Sequence, residues 1–115
     1  MIFQYKSKEQ GSVQVFHLFG ELIDREQPKS MIDEIVKIIS EGKILILLDL
    51  EELKYINSSG LNILINILTK SRKAGGDVAI CNVNEKNKEL LLITKLDSIF
   101  NVCKNVEEGI ALLTK

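Results

Sequence analysis

Tyr55-Ile56-Asn57-Ser58-Ser59-Gly60-Leu61 is the stretch on which the fold turns. Before it lies the most apolar strand candidate of the chain, Lys43-Ile44-Leu45-Ile46-Leu47-Leu48-Asp49-Leu50. This run does not alternate, as expected of a strand covered by helices on both sides, and it is read as the central parallel strand. After the stretch, Leu61, Ile63, Leu64, Ile65, Ile67 and Leu68 alternate in threes and fours with Asn62, Asn66, Thr69, Lys70 and Lys73. That is the pattern of a helix with one wet stripe. A strand, a turn and a helix in this order put the turn at the carboxyl edge of a sheet, where open α/β proteins keep their functional groups. Ser58 and Ser59 then fall at a helix start, where free N–H groups and the helix dipole favour an anion. Two readings stand open: a serine that caps the helix, or a serine that carries a phosphate.

Outward from this centre, Glu51 to Asn57 is read as the crossing into the helix. Gly75-Gly76 stops the helix, and Val78 to Cys81 forms a further strand. Asn84 is placed to cap a helix running to about Lys95, Ile99 to Val102 gives a short last strand, and Asn105 with Glu108 has capping-box spacing for a final helix through Leu113. Towards the amino terminus, Ile2 to Ser7 alternates weakly and Lys8-Glu9-Gln10-Gly11-Ser12 is a turn. Val13 to Phe19 has two largely apolar faces, Val13, Val15, His17 and Phe19 against Phe16 and Leu18, and reads as an interior strand ending at Gly20. The short link between these two strands implies an antiparallel hairpin. Pro28 places a helix start nearby, with Met31, Ile32, Ile35, Val36, Ile38 and Ile39 at helical spacing and Gly42 terminating it. The expected order is β-β-α-β-α-β-α-β-α: an α/β domain with a small, mostly parallel sheet and one antiparallel edge strand. Several helices on one side of so small a sheet are plausible, but pattern does not fix the layers.

Composition narrows the function. With 115 residues the chain is expected to be a single domain across 1–115, and 45% hydrophobic with 27% charged residues is the balance of a globular protein. A net charge of −1 argues against a general pull towards nucleic acid or an anionic membrane. No apolar run approaches the roughly 20 residues of a membrane helix, and the amino terminus is unlike a secretory signal, so cytoplasmic residence without membrane insertion is expected. Cys81 and Cys103 lack metal-type spacing and are read as buried free thiols. His17, the lone histidine, is read as structural. With no glycine-rich phosphate loop, nucleophile–base pair or metal constellation, neither a cofactor nor an enzyme activity is expected.

Three places carry a family resemblance. Phe19-Gly20-Glu21-Leu22-Ile23-Asp24 follows a strand-end pattern of an apolar residue, Gly, Glu, an apolar residue and then Asp after one spacer. Leu48-Asp49-Leu50, Leu53 and Tyr55 to Leu61 follow a signature of a strand-ending Asp, then aromatic-apolar-Asp-Ser-Ser/Thr-Gly-Leu. Gly75-Gly76-Asp77-Val78 follows a glycine turn feeding the next strand. Together they resemble the STAS domain family, and within it the small free-standing anti-sigma factor antagonists of bacteria. The resemblance covers essentially the whole chain.

It implies a protein–protein switch. The unphosphorylated protein would bind an anti-sigma factor of the serine kinase type and so free a sigma factor. The kinase would phosphorylate Ser58, release would follow, and a metal-dependent serine phosphatase would reset the cycle. Ser59 would then be the helix cap. Gly20, Glu21, Asp24, Asn57, Ser58, Ser59, Asn62 and Asn66 are the residues expected at the partner face, on a protein that is monomeric when free. Asn57 departs from the family, which usually has Asp there. That departure keeps an alternative in view: a STAS scaffold that is never phosphorylated, serving a transporter or a sensory assembly.

Overall fold

The computed structural model describes residues 2–115. β1 (Gln4–Gln10) and β2 (Val13–Leu22) form an antiparallel hairpin with Gln10 opposite Val13. The reversal is confined to Gly11-Ser12, with Gly11 in the left-handed region at φ 63°. The residues read as a five-residue turn therefore mostly belong to the first strand. Its exposed Lys6, Lys8 and Glu9 suit an outer edge, where charged side chains block further pairing. The two-faced reading of β2 holds: Phe16 and Leu18 are buried in one core, Val13 and Val15 in another.

β2 does not stop at Gly20. It runs on to Leu22, and Gly20 sits inside it at φ 87°, next to a register shift against its neighbour. A Cβ at Gly20 would collide with the Ile2 carbonyl, so only glycine lets the chain pass. α1 (Lys29–Ser40) begins directly after Pro28, as expected, and Gly42 at φ 90° follows its end.

β3 (Leu45–Ile56) is longer than expected. Its first half pairs with β2 and with β4 (Asp77–Cys81), Leu45 to Asp49 lying beside Asp77 to Cys81. There it is buried on both faces, hence the unbroken apolar run. Beyond Asp49 the strand continues against β2 alone, Phe19 beside Glu52 and Leu22 beside Ile56. In this half Leu50, Leu53 and Ile56 are buried, while Glu51, Glu52, Lys54 and Tyr55 face solvent. The segment read as a crossing is thus a two-stranded projection that carries the chain to Asn57.

The rest follows in order: α2 (Ser58–Lys73), β4, α3 (Glu85–Ile93), a 3-10 turn at Leu96–Ser98, β5 (Asn101–Cys103) and α4 (Val106–Leu113). β5 lies slightly later than expected because the 3-10 turn takes the chain as far as Ser98. The five strands stand in sequence order, β1-β2-β3-β4-β5, parallel throughout except for β1. The sheet separates two cores. Met31 and Ile35 of α1, Leu64 and Ile67 of α2 and Leu91 of α3 share one; Leu113 of α4 joins Val13, Val15, Leu47 and Ala79 in the other. Three helices therefore cover one face and α4 the opposite one. Cys81 and Cys103 lie beside each other on β4 and β5, both buried and both free.

Candidate functional site

Asn57 begins the site. Its backbone is extended, with φ −110° and ψ −171°, and its side-chain oxygen accepts from the Gly60 N–H at 3.0 Å. That geometry makes Asn57 the cap of α2. The expectation that Ser59 caps the helix is therefore corrected: Ser58 and Ser59 occupy the first two helical positions, where a side chain points away from the N–H groups it would have to reach. Both serines are exposed, and neither hydroxyl has a hydrogen-bond partner among the described residues. The Asn57 amide nitrogen donates to the Ile23 carbonyl at 3.1 Å, and its main-chain N–H points to the Leu22 carbonyl at 3.4 Å. One residue thus ties the start of α2 to the end of β2.

Gly60 makes that seating possible. A Cβ there would collide with the Leu22 carbonyl and press on the Ile56 side chain. The segment after β2 is held by a reciprocal pair: Asp24 Oδ1 accepts from the Gln27 N–H at 2.8 Å, while Gln27 Oε1 accepts from the N–H of Ile23 at 3.0 Å. Asp24 is exposed, Glu21 half-buried and Gly20 buried. Gly20 accordingly shapes the strand end and presents no surface of its own. Asn62 and Asn66 lie exposed along α2, continuing the stripe that starts beside the serines.

Two clefts flank the turn, and the serines divide between them. A cleft of about 440 Å³ between the start of α1 and α2 is lined by Arg25, Pro28, Ile32, Ser59, Asn62 and Asn66. A second, of about 300 Å³, lies between the β3 tip and α3, lined by Tyr55, Asn57, Ser58, Lys86 and Ile93 among others. The Lys86 ammonium stands 5.4 Å from the centre of the Tyr55 ring. The structure therefore joins Asn57 and Ser58 in one cleft, and Ser59 with the asparagine stripe in its neighbour. Sequence reasoning missed Arg25 and Lys86. Asn84 did mark where α3 begins, but only the topology brings that beginning beside Ser58.

Elsewhere, His17 Nδ1 lies 2.7 Å from Asp49 Oδ2, and Asp49 Oδ1 accepts from Asn82 Nδ2 at 2.9 Å and from the Glu51 N–H at 3.1 Å. This buried carboxylate is fully engaged in joining β2, β3 and the end of β4. The structural reading of His17 is consistent with that arrangement.

Comparison with known proteins agrees with this architecture. The family model described as the STAS domain matches residues 4–109. A protein of Bordetella bronchiseptica named as an anti-sigma factor antagonist, BtrV, is 28% identical over 78 residues, 68% of this chain and 67% of that one. Among solved structures, a Thermotoga maritima protein named as an anti-sigma factor antagonist superposes with a TM-score of 0.87 at 24% identity, covering 96% of this chain and 95% of that one. The Bacillus cell fate determinant SpoIIAA in its phosphorylated form gives 0.72 at 19% identity, with 98% and 99% covered. A family model spanning nearly the whole chain, on a fold whose strand order and signature turn agree with it, decides the matter: the chain belongs to the STAS domain family.

Proposed function

We propose that this protein is an anti-sigma factor antagonist switched by phosphorylation of Ser58. Unphosphorylated, it binds an anti-sigma factor of the serine kinase type in the cytoplasm; phosphorylated, it is released, and a metal-dependent serine phosphatase returns it to the binding form. The observation that carries this reading is the state of the Ser58 hydroxyl. It is exposed at a helix start and has no partner among the described residues, while Asn57 does the capping that would otherwise account for a serine there. The relatives named as anti-sigma factor antagonists support it, as does the likeness to a protein solved in a phosphorylated form.

The switch needs no change of fold. A phosphate adds about −1.5 to −2 charges at neutral pH. Burying them unpaired in an interface costs several kcal/mol, and each ~1.4 kcal/mol is tenfold in affinity, so a loss of about a hundredfold or more is expected. The partner face on this reading runs from the Glu21–Asp24 strand end, shaped by Gly20, across Asn57, Ser58 and Ser59 to Asn62 and Asn66.

A scaffold that is never phosphorylated is the competing reading, because the family usually has Asp at position 57. The amide has a reason of its own here: it donates to the Ile23 carbonyl, which a carboxylate cannot do. Incubation with the cognate kinase-type anti-sigma factor and ATP, followed by intact-mass analysis, tests the proposal. A gain of about 80 Da is expected for one added phosphoryl group. It should vanish in Ser58→Ala and survive in Ser59→Ala. No gain from a kinase that is active on other substrates rules the proposal out.

A further inference from the structure

We propose that Lys86 is the built-in counter-ion of a phosphate on Ser58, drawing it into the cleft between the β3 tip and α3. The inference rests on the reading that Ser58 is the phosphoacceptor, and it adds where the phosphate goes. Three observations lead to it.

First, Lys86 and Ser58 line the same cleft, whereas Ser59 opens into the other, so the only lysine in the lining faces one serine and not its neighbour. Second, the Lys86 ammonium is held over the Tyr55 ring, 5.4 Å from its centre, and no carboxylate lies within ion-pair distance of it among the described residues. A lysine stacked on a ring is already oriented for a second, stronger partner. Third, Lys86 is the second residue of α3. A cation in the first turn opposes the helix dipole, so helix stability does not account for it. An anion across the cleft does.

The unphosphorylated cleft has an apolar floor, with Tyr55 38% and Ile93 76% exposed. A phosphate held by Lys86 would lie over that floor. Its oxygens would accept from the ammonium on one side and from the uncapped first N–H groups of α2 on the other. The modification would then act in two ways, adding charge to the partner face and covering an apolar part of it. Glu89, one turn along α3 and lining the same cleft, opposes Lys86 by repelling the phosphate.

The test starts from protein with phosphoserine installed at position 58 during translation, so that no kinase is required. Phosphorus-31 NMR titration then reads the second ionisation of the phosphate. A nearby cation favours the dianion and lowers that pKa. Lys86→Gln should raise it by about half a unit relative to the parent, the scale of one opposite charge a few ångströms away in water. Lys86→Arg should hold it near the parent value, and Glu89→Gln should lower it further. Lys73→Gln, at the far end of α2, should leave it unchanged. Equal values in the parent and Lys86→Gln overturn the inference. Because the phosphate is installed during translation, that result leaves the kinase experiment untouched; failure of the kinase experiment, in turn, leaves this titration readable.

Discussion

Asn57 engages every polar group it has. Its N–H and carbonyl serve the main chain, its side-chain oxygen caps α2, and its amide reaches the Ile23 carbonyl. Truncation to alanine removes both side-chain bonds and should cost about 1–2 kcal/mol, the usual range for losing a cap and one exposed hydrogen bond. Asn57→Asp keeps the cap and gains from the helix dipole, but sets a carboxylate oxygen against the Ile23 carbonyl. Its cost should be less than half that of alanine. Urea unfolding of the two variants beside the parent measures this, and an alanine variant as stable as the parent would show that the tether carries no weight. The same residue shows where sequence reading ran short. Asn57, Ser58 and Ser59 are all good caps, and a shift of one residue in the helix start changes which of them does the work. What decided it was the approach of β2, which fixes where the turn must close.

At the scale of elements, the main surprise is the length of β3. Glu51-Glu52-Leu53-Lys54-Tyr55-Ile56 has the composition of a connection, and its few buried positions are too sparse to announce a strand. It is a strand because β2 extends alongside it, through a glycine that tolerates φ 87° inside the sheet. On its other edge, where β4 has ended, side chains take over. Asn87, only 2% exposed, donates to the Leu53 carbonyl at 3.2 Å, and Asn84 reaches the same carbonyl at 3.4 Å. Non-local pairings of this kind leave no trace in local pattern. The starts of α1, α3 and α4, at Pro28, Asn84 and Asn105, were by contrast legible almost to the residue, as were the stops at Gly42 and Gly75-Gly76, because these are local signals. The seating of α2 on the projecting pair should be intolerant of volume. Gly60→Ala forces a methyl against backbone, which cannot swing aside as a side chain can, so α2 must lift from β2. A loss of about 1–3 kcal/mol is expected. It should come with hydrogen exchange quickened first at the amides of Asn57 and Leu61; unaltered protection there would mean that the helix is not seated by this contact.

For the whole molecule, the element order and the antiparallel edge were readable because strands and helices alternate with different periods. The division of the helices, three on one face and α4 on the other, was not: with right-handed crossovers the face each helix covers follows from the strand order, and strand order leaves no local signal. That packing buries the Cys81 thiol and half-buries the Tyr5 phenol, and their protons report on the fold as a unit. Burial, with the Asp49 carboxylate adding to it, pushes the Cys81 thiol from 9.0 up to about 12. Burial and its hydrogen bond to Glu34 push the Tyr5 phenol from 10.0 to about 12. Unfolded, each group loses its proton near the ordinary value; folded, each keeps it until about pH 12. Between those limits the unfolded state holds fewer protons, so stability falls as pH rises. The thiol's contribution is intact below pH 9.0 and is lost progressively towards 12, and the phenol's follows the same course from 10.0. Cys81→Ala should therefore start from a lower stability at neutral pH, because it leaves a small cavity in the α4 core, yet decline less steeply above pH 9. Tyr5→Phe should depart from the parent's slope only above pH 10. Urea unfolding free energies from pH 7 to 11 separate these outcomes. Parallel curves for the parent and Cys81→Ala would mean that the thiol ionises as freely in the fold as outside it, against its complete burial beside Asp49.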